Sequence, residues 1–283
     1  MIKNIAIYIS VFILLILIII IIIHSIYNYY SPYKQYNNNI LNDHINKLKD
    51  TCEYLQDNPI PKIIHKIAPQ DKTKWRPIWI KSYNSWLKYF PEPEYKIMMW
   101  NDDDIYIFIK NKFPWFYHIF CDYPHNIQRF DIIRYFLLYE YGGIYADMDY
   151  EVFKNFHHLL PNGKVSIIEE GNRNSKSLLE NALMASPPKN IFWIDVLKLA
   201  ITQTTKIECI KQNFSCIFNI CYIMHSTGPY LVSKVYNDKY KTKINVLNKK
   251  LYNSHHLKNK NKDIIGIHYW SGSWILNTFT KMK

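Results

Sequence analysis

The feature that most limits how this chain can fold is a regular alternation of strand-like and helix-like segments from residue 60 onward. Short apolar segments predict strands, and they lie at residues 61–67, 95–100, 144–146, 165–169 and 264–269. Longer segments with apolar residues at helical spacing predict helices, and they lie at residues 79–90, 114–120, 125–141, 190–204 and 228–236. Strands that alternate with helices indicate one α/β domain with a mainly parallel central sheet.

Composition excludes several other classes of protein. Hydrophobic residues make up 48% of the 283 residues, which is too many for a disordered chain. Five cysteines without a Cys-x-x-Cys pair exclude a disulfide scaffold and a zinc ribbon. The formal net charge of +12 would suit nucleic acid or an anionic membrane surface. Its densest part, residues 249–262, is more typical of a solvated loop, and we expect no nucleic-acid partner.

A long apolar run occupies the N-terminal region. Residues 5–23 are 19 consecutive uncharged and mostly apolar positions, which as a helix would span about 28 Å, close to a bilayer core. A cleaved signal peptide and a buried core helix are the alternatives. We expect a retained single-pass transmembrane helix within residues 1–26 with its N-terminus in the cytosol, a stem over residues 27–59 and a globular domain over residues 60–283.

Two further features bear on the compartment. Cys209, Cys216 and Cys221 are close enough in sequence for one disulfide if the domain is luminal. Asn213 begins an N-glycosylation sequon, which is used only in the lumen. We therefore expect a membrane protein that faces a Golgi-type or endoplasmic reticulum-type lumen.

Four charged residues between positions 131 and 149 have spacings typical of a metal and nucleotide site. Asp131 and Arg134 are three apart on a predicted helix, so they share a face. Asp147 and Asp149 are two apart in a predicted extended segment, so both carboxylates would point to one side. Paired carboxylates suit Mg²⁺ or Mn²⁺, which can bridge the phosphates of a nucleotide. Taken alone, such pairs are more often solvated loops or surface ion pairs.

Read as a whole, residues 129–149 (R-F-D-I-I-R-Y-F-L-L-Y-E-Y-G-G-I-Y-A-D-M-D) resemble the D-x-D sugar-binding region of glycosyltransferase family 32. More distantly they resemble the glucosylating domains of large clostridial toxins. The resemblance continues in ordered blocks at residues 60–67, 79–102, 181–190, 227–229 and 268–274. It implies a GT-A-like nucleotide-sugar-binding domain that uses a divalent metal (Mn²⁺ or Mg²⁺) and retains the anomeric configuration of the donor.

The resemblance also implies roles for individual residues. The catalytic group would be Asp131, Arg134, Asp147, Asp149 and Asn181. The residues that bind the donor would be Ile64, His65, Tyr145, Ser273 and Trp274. The metal ligands would be Asp147, Asp149 and His268. By residue type alone, His65 is more often a structural histidine, and the family's frequent His-Gln-x-Trp pattern is replaced by residues 65–68, His-Lys-Ile-Ala.

These expectations combine into one function. The chain would be a membrane-anchored, metal-dependent, retaining glycosyltransferase that moves a hexose to a glycan or lipid acceptor. Its donor would be GDP-mannose, the commonest case in the resembled family, or a UDP-hexose. One alternative is a catalytically inactive membrane-anchored protein that binds a sugar or nucleotide. The other is a basic membrane-surface interaction protein, which would explain the charge but not the ordered blocks.

Overall fold

The central element of the structure is a six-stranded sheet. The computed structural model describes residues 11–23, 38–52, 58–202, 219–254 and 263–272. The sheet has the order β2-β1-β3-β6-β5-β7, and a separate two-stranded sheet pairs β4 with β8. The strands are β1 (Ile63–Ile67), β2 (Lys96–Trp100), β3 (Gly143–Ala146), β4 (Tyr150–Val152), β5 (Ser166–Arg173), β6 (Lys176–Ser186), β7 (Asn245–Leu247) and β8 (Gly266–His268).

Most strands of the large sheet point in one direction. β1 is parallel to both β2 and β3, and β5 is parallel to β7. β6 lies between β3 and β5 and is antiparallel to both. Only β6 therefore runs against the other strands of this sheet, and the predicted mainly parallel α/β domain is confirmed.

Helices precede the first strand and fill the longer connections between the strands. Helix α1 covers residues 11–23. The others are α2 (Asn38–Asp50), α3 (Pro77–Tyr89), α4 (Asp102–Lys112), α5 (Pro114–Asp122), α6 (Asn126–Tyr141), α7 (Ile191–Thr202), α8 (Asn219–Ser226), α9 (Pro229–Val235) and α10 (Lys249–Tyr252). The helices predicted at residues 79–90, 114–120, 125–141, 190–204 and 228–236 correspond to α3, α5, α6, α7 and α9, with ends that differ by at most two residues; residues 203 and 204 lie outside the described residues.

Helix α6 crosses the middle of the domain and is buried along most of its length. Tyr135 stacks on Trp193 of α7 with ring centroids 5.5 Å apart. The helix ends at Tyr141 and is followed by Gly142, whose φ of 64° with ψ −156° is a backbone conformation almost restricted to glycine. Gly143 follows with φ 91°, and a Cβ there would lie 2.4 Å from the Ile63 carbonyl oxygen. These two glycines let the chain enter β3 directly against β1.

The sequence patterns did not reveal β6, although it is the longest strand. Its residues from 179 to 186 are all buried, so both faces of the strand are covered and the apolar–polar alternation is absent. Its leucines, alanines and methionine are also good helix formers. The short strands β4 and β7 were likewise not predicted, and the predicted strand at 264–269 pairs with β4 outside the large sheet.

The N-terminal residues are described only in part. Helix α1 exposes its apolar side chains, with Phe12 at 64% and Ile21 at 63%. Within the described ranges, no helix has both the length and the apolar content needed to cross a bilayer. Residues 1–10 and 24–26 of the predicted anchor segment lie outside the described residues, and the anchor stays a prediction. In the predicted stem, Ile45 of α2 is buried in the main hydrophobic core.

His65 of β1 connects three parts of the sheet. Its Nδ1 lies 3.2 Å from Trp100 Nε1, which can only donate, so Nδ1 accepts. Nε2 then carries the proton and donates to the Gly142 carbonyl oxygen at 2.9 Å. Burial lowers the pKa of His65 to about 4. The ring is therefore neutral at pH 7 and holds the chain between α6 and β3.

We expect His65 to make the domain sensitive to acid. Between its unfolded pKa near 6.5 and its folded pKa near 4, the unfolded chain binds more protons. Stability is therefore lost as pH falls through that window, by about 2 kcal/mol between pH 7 and pH 5. Denaturant unfolding at both pH values checks this. His65→Gln should lose that part of the pH dependence, whereas His158→Gln, at an exposed position, should keep it. An unchanged pH dependence in His65→Gln would contradict the assignment.

Candidate metal and sugar-donor site

The Asp-x-Asp motif forms a turn between β3 and β4. The Tyr150 amide donates to the Asp147 carbonyl oxygen at 3.0 Å, which is the hydrogen bond of a β-turn. The predicted extended segment is therefore wrong for these residues, because β3 already ends at Ala146. Met148 points away and packs with Ala68 and Trp75 in a small hydrophobic cluster. The turn brings both carboxylates to the same place by a different geometry.

Three potential ligands converge at this turn. Nε2 of His268, at the end of β8, lies 3.2 Å from Asp149 Oδ1 and 3.9 Å from Asp147 Oδ2. One ligand atom from each of the three residues falls within 4.8 Å of the others, and this trio is the one candidate metal cluster among the described residues. Two carboxylate oxygens and one imidazole nitrogen are donors that Mn²⁺ accepts, so the residues present fit a divalent cation.

The charges in the trio depend on one another. Burial lowers the pKa of His268, but the contacts with Asp149 and Glu180 outweigh it and raise the pKa to about 10. Burial likewise disfavours the charge on Asp149, yet hydrogen bonds from His268 and Ser271 hold its pKa well below the usual range. The imidazolium is thus the counter-charge of the carboxylates in this structure. A divalent cation at Nε2 would replace the proton there.

Arg134 organises the other side of the motif. Its Nη1 donates to Asp147 Oδ1 at 3.1 Å, and its Nη2 lies 3.0 Å from Asp131 Oδ1. The predicted pair of Asp131 and Arg134 is therefore present, and Arg134 extends it to the metal motif. The guanidinium also lies 4.7 Å from the ring centroid of Tyr145. Because Tyr145 Oη donates to the same Asp147 oxygen at 2.7 Å, Asp147 has only Oδ2 facing His268.

Asn181 of β6 joins this network from the opposite strand. Its Nδ2 donates to Asp131 Oδ1 at 3.1 Å, and it lies at the same distance from Tyr135 Oη. The backbone carbonyl oxygen of Asn181 accepts a hydrogen bond from Arg134 Nη1 at 2.8 Å. Burial raises the pKa of Asp131 to about 6, against the opposing effect of Arg134. The structure thus brings together Asp131, Arg134 and Asn181, and their catalytic roles stay a prediction.

Lys66 is a charged residue of this site that the sequence patterns did not single out. It has no exposed surface, and its Nζ lies 3.2 Å from the Asp147 carbonyl oxygen and 4.7 Å from the ring centroid of Trp86. Burial lowers its pKa to about 7, while Asp147 and Asp149 act in the opposite direction. Lys66 therefore holds the backbone of the Asp-x-Asp turn through its contact with the Asp147 carbonyl oxygen. The sequence feature that could have identified Lys66 is its position in a predicted buried strand, Ile-Ile-His-Lys-Ile, where a charged residue is unusual.

Residues 269–271, which follow β8, form hydrogen bonds with the Asp-x-Asp motif. The Ser271 amide donates to Asp149 Oδ2 at 2.7 Å, and the Tyr269 amide donates to the Asp149 carbonyl oxygen at 3.0 Å. Arg76 Nη1 also donates to the Ser271 carbonyl oxygen at 3.1 Å. Ser273 and Trp274, predicted to bind the donor, lie outside the described residues and stay predictions.

Two other predicted donor-binding residues are remote from open space. Ile64 and His65 have no exposed surface, and the ring nitrogens of His65 are both used inside the sheet. Their predicted roles stay untested. The described residues do form an open pocket of about 490 Å³ beyond the ends of β1 and β2, lined by Pro69, Gln70, Asp71, Lys74, Asn101, Asp102 and Asp103. Ligands of α/β proteins commonly bind beyond the carboxyl ends of strands.

The fold and the site together define an α/β domain in which an Asp-x-Asp turn and a histidine lie together beyond the ends of the strands. Residues 77–166 match the family model described as "Glycosyltransferase sugar-binding region containing DXD motif". The matched segment includes Asp131, Arg134, Asp147 and Asp149. The match confirms the resemblance that the ordered motifs indicated.

Particular relatives narrow the comparison. Inositol phosphoceramide mannosyltransferase 3 of Schizosaccharomyces pombe is 30% identical over 182 residues, 64% of this chain and 46% of its own length. Mannosyl phosphorylinositol ceramide synthase CSH1 of Saccharomyces cerevisiae is 32% identical over 177 residues, 62% of this chain and 42% of its own. This chain thus spans less than half the length of either relative. A solved structure described as PaToxG Glycosyltransferase aligns with a TM-score of 0.45 and 19% identity over 72% of this chain and 77% of its own.

Proposed function

We propose that this chain is a metal-dependent glycosyltransferase that transfers a mannosyl group from GDP-mannose to a lipid acceptor of the inositol phosphoceramide type. The observation that carries the proposal is the convergence of Asp147 Oδ2, Asp149 Oδ1 and His268 Nε2 at one point. The curated relatives, both named for the mannosyl step on inositol phosphoceramide, support the choice of sugar and acceptor. A GT-A-like arrangement of the domain belongs to the same proposal.

The metal would be held by Asp149 Oδ1 and His268 Nε2, with Asp147 Oδ2 contributing directly or through a water. A bound divalent cation would supply positive charge to the diphosphate that leaves the donor. The imidazole ligand favours Mn²⁺ over the harder Mg²⁺. Arg134 holds Asp147 so that only one of its oxygens faces this point, and Lys66 holds the backbone of the same residue.

The donor would extend from the metal toward the pocket beyond β1 and β2, where its nucleoside would lie. Asp131 and Asn181 would form the floor beneath the sugar, since both are nearly buried and linked to each other. Ser273 and Trp274 would complete the site on the phosphate side. Because Asp131 and Asn181 are held by hydrogen bonds to each other and to Arg134 before any ligand binds, they would position the donor with little rearrangement.

We also propose that the anomeric configuration is retained. Arg134 engages the carboxylates of Asp131 and Asp147, and Asp149 is assigned to the metal, so none of the three is assigned as a covalent nucleophile. The acceptor would then attack from the face that the diphosphate leaves, and a donor phosphate oxygen would take its proton. Nuclear magnetic resonance of the first-formed product tests this, since a β-linked product from an α-linked donor would contradict retention.

The apolar N-terminal run supports the proposal of a single-pass anchor with a luminal domain in a Golgi-type compartment. An anchor would keep the site near a lipid acceptor. Extraction of membranes with alkaline carbonate tests the anchor, because full-length protein that moves entirely to the soluble fraction would rule it out. Modification of Asn213 would report the luminal orientation.

The experiment that tests the proposed reaction uses full-length protein, GDP-mannose, inositol phosphoceramide in mixed micelles and Mn²⁺. We expect mannosylated lipid to form, to be lost with a metal chelator and to exceed the product from UDP-glucose at equal concentration. Free mannose without lipid product would support donor hydrolysis only and reject this acceptor. Donor binding without either product would favour the alternative of an inactive binding protein.

A further inference from the structure

A second carboxylate lies behind His268, on the side of the ring away from the Asp-x-Asp turn. Glu180 of β6 is 3% exposed, and its Oε2 is 3.6 Å from His268 Nδ1. Neither atom has a hydrogen-bond partner in the part of the chain that the structure describes. A small movement would therefore satisfy both atoms at once.

Asn253 holds both residues in this relation. Its Nδ2 donates to Glu180 Oε1 at 2.7 Å, and its Oδ1 accepts from the backbone amide of His268 at 2.9 Å. Asn253 is itself only 2% exposed and directly follows α10. Three separate elements, β6, β8 and the end of α10, thus meet to place one carboxylate oxygen opposite one imidazole nitrogen.

Stability alone does not explain a carboxylate at this position. The neighbours of Glu180 along β6 include Leu179, Ala182 and Leu183, all buried, and on β5 it faces the carboxyl group of Glu170, whose pKa is raised by burial and by Glu180. A buried carboxylate loses its hydration, and an apolar residue of similar size is often neutral or stabilising in its place. The position therefore points to a role in the site rather than in the core.

We infer that Glu180 is the positioning residue that orients His268 toward the metal. When a divalent cation replaces the proton on Nε2, a proton kept on Nδ1 and directed at Glu180 would leave the Nε2 lone pair for the cation beside Asp149 Oδ1. Carboxylates behind metal-binding histidines fix the ring orientation and tautomer and increase the basicity of the ligand nitrogen. The inference rests on the proposed metal site and names two residues, Glu180 and Asn253, that support it from behind.

Glu180→Gln tests the tautomer directly because Asn253 dictates how the new amide must lie. Asn253 Nδ2 needs an acceptor, so the introduced amide oxygen would turn toward Asn253 and its NH₂ group toward His268 Nδ1. That NH₂ group selects the wrong tautomer, with the proton on Nε2. We expect Mn²⁺ affinity, measured by calorimetric titration of the full-length protein without donor, to fall about 10-fold to 100-fold.

A swapped pair provides the rescue. In the double variant Glu180→Gln with Asn253→Asp, the new carboxylate accepts from the introduced NH₂ group and still accepts from the His268 amide. The amide oxygen of the glutamine then faces Nδ1, and the correct tautomer returns. We expect the double variant to regain most of the lost Mn²⁺ affinity. A purely structural role for Glu180 would not produce this recovery.

Asp195→Asn is the matched control. Asp195 is also a nearly buried carboxylate, but its partners are Lys49, Lys239 and Tyr240. Its removal should lower the melting temperature and leave Mn²⁺ affinity unchanged. Pulsed electron paramagnetic resonance of bound Mn²⁺ gives an independent readout, since ¹⁴N coupling from an imidazole should be present in the wild type and weaker in Glu180→Gln.

The outcomes separate the inference from the proposed function. A wild-type protein that binds no Mn²⁺ would overturn both. Mn²⁺ binding with ¹⁴N coupling that is the same in the wild type and Glu180→Gln would overturn only the inference. If Glu180→Gln fails to fold, the double variant decides, because Mn²⁺ affinity near that of the wild type supports the inference and a 10-fold loss rejects it.

Discussion

Replacing Asp149 with asparagine is expected to lower donor turnover at least about a thousandfold, or about 4 kcal/mol of transition-state stabilisation. The Ser271 amide needs an acceptor on this side chain, so the amide oxygen of the asparagine would face Ser271. Its NH₂ group would then face His268 and the metal position, where a hydrogen-bond donor cannot be a ligand. Turnover would fall because the metal loses a negatively charged ligand and because the NH₂ group of the asparagine faces the metal position.

Initial rates of GDP release from GDP-mannose with saturating Mn²⁺ check this result, alongside circular dichroism to verify folding. Asp43→Asn is the matched control, because it removes the same charge from an exposed position whose partner is Lys47. It should leave the rate unchanged. Wild-type turnover in a folded Asp149→Asn protein would show that the metal site has been assigned to the wrong residue.

Arg134→Met is expected to cost about 3–5 kcal/mol of folding stability, the typical effect of removing one partner from a buried ion pair. The Arg134 side chain is 5% exposed and contacts Asp131 Oδ1 and Asp147 Oδ1. Methionine would fill much of its volume but leave Asp131 as a buried, unpaired carboxylate. Because such a group is stabilised by protonation, the cost should be smaller at pH 5 than at pH 8.

Denaturant unfolding at the two pH values measures this effect. Arg129→Met on the same helix is the control, since Arg129 contacts only backbone carbonyl oxygens and Asn126 among the described bonds. It should cost far less. Adding Asp131→Asn to Arg134→Met should restore part of the stability, because the unpaired charge is then absent. A pH-independent loss that Asp131→Asn does not relieve would contradict the assigned ion pair.

The helices and strands that the sequence predicted correctly are those with a clear local pattern of apolar and polar residues. Helix α6 has apolar residues at helical spacing and a double glycine directly after it, and β2 is a short apolar run followed by Asn101 and three aspartates. β6 was not recognised because it is buried on both faces, which removes the alternation that identifies a strand. Its direction is set by the two-residue turn at Asn174 and Ser175, both with positive φ, which joins it to β5 as a hairpin. Only its pairing with β3 joins residues far apart in the chain.

The site was predictable to the extent that one motif contains it. Asp131, Arg134, Asp147 and Asp149 lie within 19 residues of sequence, and the structure brings them together. Glu180 is different because its partner, His268, lies far along the chain and its own strand was not recognised. Lys66 shares this difficulty, since only the parallel pairing of β1 with β3 places it under the Asp-x-Asp turn.

The turn geometry illustrates how a correct conclusion can follow from a wrong local structure. Two residues in an extended strand and two in this β-turn can both direct their carboxylates to one side. What distinguishes them is the hydrogen bond from the Tyr150 amide to Asp147, which ends β3 early. In the turn, the Asp149 carboxylate accepts a hydrogen bond from the Ser271 amide.

Metal-dependent donor hydrolysis by the purified protein tests the central proposal most directly. The protein is incubated with GDP-mannose, UDP-glucose, UDP-galactose or UDP-N-acetylglucosamine in turn, with Mn²⁺, with Mg²⁺ and with a chelator. We predict nucleotide diphosphate release that is fastest with GDP-mannose and Mn²⁺, slower with Mg²⁺, and absent with the chelator or in Asp149→Asn. Release that persists unchanged in the chelator, or no release from any donor in a folded wild-type protein, would contradict a metal-dependent glycosyltransferase at Asp147, Asp149 and His268.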